Sequence, residues 1–170
     1  MIQLELPNLP IAWSASRITS RGAFNPRAKE KNFTRWQIKS LYRDKPIQGY
    51  VVIEFVFIFP IPNSVSRSKR ESCLKNNAIL PTKCDCTNLQ KFYEDCIKGI
   101  VITDDRNVAK ISSEKIYGKK EKILIKVWTL AEYEDLKANE TDNRRDRGTV
   151  LHGYSSIIPR SGEDEARGDD

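Results

Sequence analysis

Three aspartates carry the first chemical signal in this sequence. Asp85 stands in "KCDCTNLQKFYED", residues 83–95, directly before a helix-like apolar pattern. Asp104 and Asp105 follow the short apolar tract "IVI" in what reads as a turn. Acidic residues at the ends of neighbouring elements can converge on one divalent cation, and oxygen ligands suit Mg2+ or Mn2+. Such a cation polarises a phosphate and lowers the pKa of an attacking water. The same residues also have plain structural readings: Asp85 as a partner of a positive helix end, and Asp104-Asp105 as ordinary turn formers. Spacing alone leaves both readings open.

Cys84 and Cys86 flank Asp85, and with Cys73 and Cys96 they make up all four cysteines of the chain. Zinc is therefore the rival chemistry. Structural zinc sites typically pair their cysteines as C-x2–4-C. Here ten, one and nine residues separate successive cysteines. Cys96 also belongs to the apolar stripe of a helix, so no structural zinc is expected and the cysteines read as filler.

The elements that must position these residues are legible in outline. Residues 2–6, "IQLEL", alternate like a strand, and "PNLPIAWSASRITSRGAFNPRAKEK", residues 7–31, reads as a long irregular excursion. Residues 29–43 make an imperfect amphipathic helix with Phe33, Trp36, Ile38, Leu41 and Tyr42. The β-branched and aromatic run at 50–59 predicts a central strand. Leu89, Phe92, Tyr93, Cys96 and Ile97 recur at helical spacing; Thr87 with Gln90 reads as a capping box and Gly99 as the stop. Strands at about 108–117 and 122–129 are expected to pair as a hairpin through "YGKKE".

Charge divides the chain. Residues 1–130 hold 23 Lys+Arg against 12 Asp+Glu, whereas residues 131–170 hold 6 against 11. The basic part points to a polyanion as partner. Beyond residue 135 the composition is charged and poor in apolar residues, which predicts a loosely attached or disordered tail. No stretch approaches the roughly 18 apolar residues of a membrane span. "MIQLELPNLP" also lacks the pattern of a signal peptide, so a cytoplasmic location without membrane contact is expected.

The stretch "KCDCTNLQKFYEDCIKGIVITDDRNV", residues 83–108, resembles the RusA-like family of Holliday-junction resolvases. That family's signature runs D-x-D-N-L-x-K, then an aspartate, a glycine, and an apolar tract ending in D-D. Asp85, Asn88, Leu89, Lys91, Asp95, Gly99, Asp104, Asp105 and Val108 fill its places. The resemblance extends back to "SRITSRGAFNPRAKEK" and forward through "KISSEKIYGKKEKILIKV". It covers residues 1–130 as one domain and leaves 131–170 outside as the flexible tail.

The resemblance implies a single small α/β domain, a mixed β-sheet with two or three helices. It implies a homodimer that cuts four-way DNA junctions with Mg2+, for which Mn2+ can substitute. By the same resemblance, Asp85, Asp105 and Lys91 are the catalytic residues, and Asp85, Asp105 and Asp104 the metal ligands. The second aspartate of D-x-D is Thr87 here, leaving a hydroxyl as a possible neutral ligand. Lys91 could stabilise charge developing on the phosphate; its structural role would be pairing with Asp95. Arg17, Arg21, Arg27, Lys29 and Lys31 would bind DNA phosphates, and Phe24 could stack at a junction. The missing carboxylate keeps a second reading alive: a protein that binds branched DNA without cutting it.

Overall fold

The computed structural model describes residues 1–20, 22–74 and 79–146. In chain order the elements are β1 (Ile2–Leu6), β2 (Arg17–Thr19), β3 (Gly22–Phe24), α1 (Ala28–Leu41), β4 (Val51–Pro60), α2 (Arg67–Leu74) and α3 (Cys86–Ile97). A 3-10 turn (Asp105–Asn107) then leads into β5 (Val108–Gly118), β6 (Lys122–Thr129) and α4 (Leu130–Asp146). The four long strands form one mixed sheet in the order β1-β6-β4-β5. The expected α/β architecture is therefore present, with α1, α2 and α3 between the strands.

β4 takes the inner position because both of its faces are apolar. Val51, Ile53, Phe55, Phe57 and Phe59 point to one side and are buried; Val52 and Val56 are buried on the other. Such a strand satisfies its backbone and side chains only with a neighbour along each edge. β6 lies antiparallel on one side of it and β5 parallel on the other. The hairpin expected from "YGKKE" is thus corrected: β5 and β6 are joined by residues 119–121 but do not pair, since β4 separates them. Sequence adjacency lost to the burial demand of the most apolar strand.

That connection passes close over β4, and Gly118 makes the close approach possible. A Cβ at Gly118 would lie 2.5 Å from Ile58 Cγ2 and 3.4 Å from the Lys120 carbonyl oxygen.

α1 and α3 cover the face bearing the odd-numbered residues of β4. The stripe Leu89, Phe92, Tyr93, Cys96 and Ile97 is fully buried, and the Tyr93 ring sits 5.4 Å from that of Phe57. α1 buries only Thr34 and Ile38 fully. Phe33, Trp36 and Leu41, expected on its inner side, are exposed instead. The "IVI" tract is a buried turn rather than a strand, with Ile102 bridging to Ile47 and Lys98.

Two segments depart from their expected irregularity. Within the excursion, β2 and β3 pair as a small antiparallel ribbon whose six residues are all exposed. At the other end, α4 continues the chain as helix through Asp146. A capping box that the sequence reading passed over starts it: Glu132 Oε2 accepts from the Thr129 amide at 3.0 Å, and Thr129 Oγ1 accepts from the Glu132 amide at 3.3 Å. The Met1 ammonium adds an ion pair to Glu132 at 2.9 Å. Past Tyr133, which meets Trp128, residues 134–139 are exposed, so the helix is loosely attached as composition suggested. Residues 147–170 of the tail lie outside the described residues.

Gly118→Ala should lower stability by about 1–3 kcal/mol through overpacking against the stiff Ile58 side chain. Urea denaturation with an unchanged m-value would check it.

Candidate active site

The signature residues lie on α3 and its N-cap, on the turn that follows it and, for Val108, at the start of β5. Asp85 is the helix N-cap, with φ −76° and ψ 138°, but its side chain does not cap a backbone amide. The carboxylate instead accepts from Asn88 Nδ2 at 3.3 Å and stays exposed. Thr87 lies inside the first turn, exposed, so the predicted Thr87–Gln90 capping box is not formed. Helix onset comes two residues earlier than the pattern suggests: Asp85, not Thr87, adopts the extended N-cap conformation. Gln90 turns inward and accepts from Ser113 Oγ at 3.1 Å.

The approach to α3 is fixed to β5. Cys84 adopts φ +65°, a left-handed conformation rare outside glycine, and its carbonyl accepts from Lys115 Nζ at 2.7 Å. Cys86 Sγ lies 3.1 Å from Ser113 Oγ. The cysteines around Asp85 therefore shape the loop that presents it, which is more than filler. All four cysteines are free thiols, with Cys73 and Cys96 buried.

The other end of α3 carries the aspartate pair. Lys98 Nζ bridges Asp105 Oδ1 at 2.8 Å and Asp104 Oδ2 at 3.1 Å. Asp104 Oδ1 also accepts from the backbone amide and from Nε of Arg106, both at 3.0 Å. These bonds, the Arg106 amide first, hold the Asp104 carboxyl well below the usual carboxylate range. Hydrogen bonds to Asp105 and then Asp104 raise the Lys98 pKa. Glu94, one turn before Lys98, is shifted upward by burial and by the nearby charges of Asp105 and Asp95.

A guanidinium fixes this end. Arg35 Nη1 donates to the carbonyls of Asp95 (3.2 Å), Cys96 (3.1 Å) and Lys98 (2.9 Å). Lys31 adds an ion pair to Asp95 at 3.0 Å. These contacts tie α1 to the C-terminal turn of α3, where unsatisfied carbonyls attract cations.

Thr87, Lys91, Glu94 and the C-cap Lys98 follow one another at helical spacing along one side of α3, the first two exposed and the last two half-buried. Carboxylates stand at both ends of that strip. Twelve helical residues separate Asp85 from Lys98, a rise of about 18 Å along the axis. Asp104 and Asp105 are brought together; Asp85 is not gathered with them. Among the described residues no group of three or more His, Cys, Asp or Glu could hold a metal ion. Lys91 lies between the two ends. Its ammonium stands 4.2 Å from the ring centroid of Trp13 and is not paired with Asp95, whose partner is Lys31. Trp13 is held there by its amide, which donates to the Asn88 carbonyl at 2.8 Å.

Of the predicted phosphate-binding residues, Arg17 and Lys29 are exposed. Arg27 is exposed but pairs with Glu30 at 2.9 Å. Lys31 is half-buried in its pair with Asp95, a structural tie between helices. Arg21 lies outside the described residues. Phe24 is exposed on β3. Trp13, Arg35, Glu94, Lys98 and Arg106 were not singled out from sequence. Glu94 and Lys98 were within reach, standing at i+3 and i+7 from Lys91; Arg35 and Trp13 are distant in sequence and carried no local signal.

The described residues thus form a mixed α/β domain with an aspartate pair held by Lys98 at one end of α3. A family model described as Endodeoxyribonuclease RusA matches residues 10–128, more than two thirds of the chain. The chain belongs to that family. No curated protein and no solved structure matches it.

Burial pushes the Cys96 thiol up to about 12, so almost no thiolate forms near neutrality. Iodoacetamide at pH 8 should label Cys84 and Cys86 in the folded protein, and Cys96 only after denaturation. Peptide mass spectrometry reads the order, and equal labelling of Cys96 would contradict the docking of α3 described above.

Proposed function

We propose that this chain is a structure-selective endodeoxyribonuclease that resolves Holliday junctions in DNA recombination and repair. The observation that carries the reading is the side-by-side pair Asp104 and Asp105, already holding a cation of the chain itself at 2.8 and 3.1 Å. Membership of the family supplies the substrate class. Oxygen donors with this much charge suit Mg2+, or Mn2+ in its place. The ammonium of Lys98 stands in for such an ion, so the residues present fit it.

Asp105 and Asp104 would hold the divalent cation, whose chemistry when bound is Lewis acidity toward a phosphodiester. The chain's own residues do the rest. Asp85 supplies a carboxylate at the opposite end of the α3 strip, with the Thr87 hydroxyl beside it as a neutral oxygen. Lys91 is exposed midway and offers its ammonium to charge building on a phosphate oxygen. Arg17, Lys29 and Arg27 lie on the exposed ribbon and the start of α1, and Arg21 falls between them in sequence; they would contact DNA arms through phosphates without reading bases. Among the described residues no helix is long and apolar enough to cross a membrane. A cytoplasmic place beside the DNA is the corresponding reading.

Two symmetric cuts across a four-way junction suit a two-fold homodimer. The outer face of α1 supports one. Phe33 and Trp36 are 54% and 65% exposed, stacked with centroids 6.1 Å apart, and Leu41 is exposed on the same helix. The stacked pair offers apolar area that a second copy would cover. Light scattering should therefore show a dimer that Phe33→Glu/Trp36→Glu converts to monomer with the fold intact by circular dichroism.

The second reading, binding without cutting, is favoured by Thr87 and by the absence of a gathered carboxylate triad among the described residues. Cleavage of a synthetic four-way junction with and without Mg2+ separates the two. Under the nuclease reading Asp105→Asn abolishes cutting yet keeps or tightens junction binding, because removing a carboxylate relieves repulsion of phosphates. Thr87→Asp tests which end of the α3 strip holds the ion: a lower Mg2+ concentration for half-maximal cleavage would put a ligand beside Asp85, and an unchanged one leaves the ion with Asp104 and Asp105. Wild type and Thr87→Asp both silent, with binding intact, would establish the binding protein.

A further inference from the structure

We infer that Lys98 is a built-in competitor for the cation site: its ammonium holds Asp104 and Asp105 together in the metal-free protein and must be displaced when a divalent ion binds. This rests on the reading of Asp105 as a metal ligand. Two adjacent carboxylates repel each other, and a positive charge between them removes the repulsion. Lys98 Nζ does so at 2.8 Å from Asp105 and 3.1 Å from Asp104.

The aim of Lys98 is set by its backbone. Its amide donates to the Glu94 carbonyl at 3.2 Å, and its own carbonyl accepts from Arg35 at 2.9 Å. The residue is the C-cap of α3, at the negative end of the helix, where a cation is favoured for a second reason. Arg106 binds the opposite oxygen of Asp104 and leaves Asp105 with Lys98 as its charge partner in the cluster. Glu94 borders the same group, close enough that the Asp105 charge raises its pKa. A divalent ion entering here meets one ammonium to expel and the two carboxylates that it holds.

Displacement has two consequences. Metal affinity is lower than the carboxylates alone would give, because binding breaks two ion pairs. The freed ammonium is left at the end of the α3 strip, about two turns from Lys91. Lys98 is thus a positioning residue for the carboxylate pair, and the strip gains a positive charge only when the ion is present.

The test uses the full chain and Mn2+ alone, with no DNA. Isothermal titration and the Mn2+-dependent shift in melting temperature are measured for wild type, Lys98→Gln, Lys98→Arg and Asp105→Asn. Lys98→Gln should bind Mn2+ roughly three- to tenfold more tightly, the range expected for loss of an exposed ion-pair competitor. Its melting temperature without metal should fall and should recover more than that of wild type when Mn2+ is added. Lys98→Arg, which keeps the charge, should behave like wild type, and Asp105→Asn should lose the response. Equal Mn2+ affinity in wild type and Lys98→Gln, with Asp105→Asn weakened, would overturn the competition while leaving Asp105 as a ligand. Absence of Mn2+ binding in all four would overturn both the competition and the metal reading beneath it.

Discussion

The site hangs on one guanidinium. Arg35, reaching from α1, gathers the last carbonyls of α3 at Asp95, Cys96 and Lys98 into a single three-pronged contact. Those carbonyls have no helical partner, and leaving them unmet away from water costs about 1–3 kcal/mol each. The contact also decides where the chain goes next. From Lys98 it turns through Gly99, in the left-handed region at φ +73°, into the buried Ile100–Ile102 and out to Asp104 and Asp105. Moving the end of α3 would move Lys98 and the aspartate pair together.

The N-terminal end of α3 is held by different means. Lys115 on β5 grips the Cys84 carbonyl, and Ser113 links Cys86 to Gln90. Between the two anchors, the stripe from Leu89 to Ile97 is sealed against the sheet. Rigid supports at both ends and along one face leave only the outer strip free to meet a ligand. That division suits a site whose geometry must be in place before a large, flexible substrate arrives.

Charge on the strip is balanced locally and unbalanced globally. Asp104 and Asp105 are offset by Lys98 and Arg106, and Asp95 by Lys31. The body around them remains basic, with 23 Lys+Arg against 12 Asp+Glu over residues 1–130. That excess of positive charge favours the approach of a polyanion, while the charge of Asp104 and Asp105 is already offset within the chain.

The sequence by itself determined whatever depends on local pattern. The ten-residue apolar run of β4 announced an inner strand, and the stripe on α3 announced its buried face, because periodicity is a property of neighbours along the chain. The Thr129–Glu132 capping box was equally local and could have been read; it was obscured by the charged composition that follows. The spaced signature from Asp85 to Val108 carried the family resemblance for the same reason. Tertiary structure alone decided which strands pair: β4's need for two neighbours separated β5 from β6 despite their three-residue connection. It also chose partners for the charges, giving Asp95 to Lys31 rather than Lys91, placing Trp13 over Lys91, and setting Lys98 between the aspartates. Ion pairs and cation–π contacts form between side chains that the fold brings within a few ångströms, and nothing in their spacing along the chain fixes that distance.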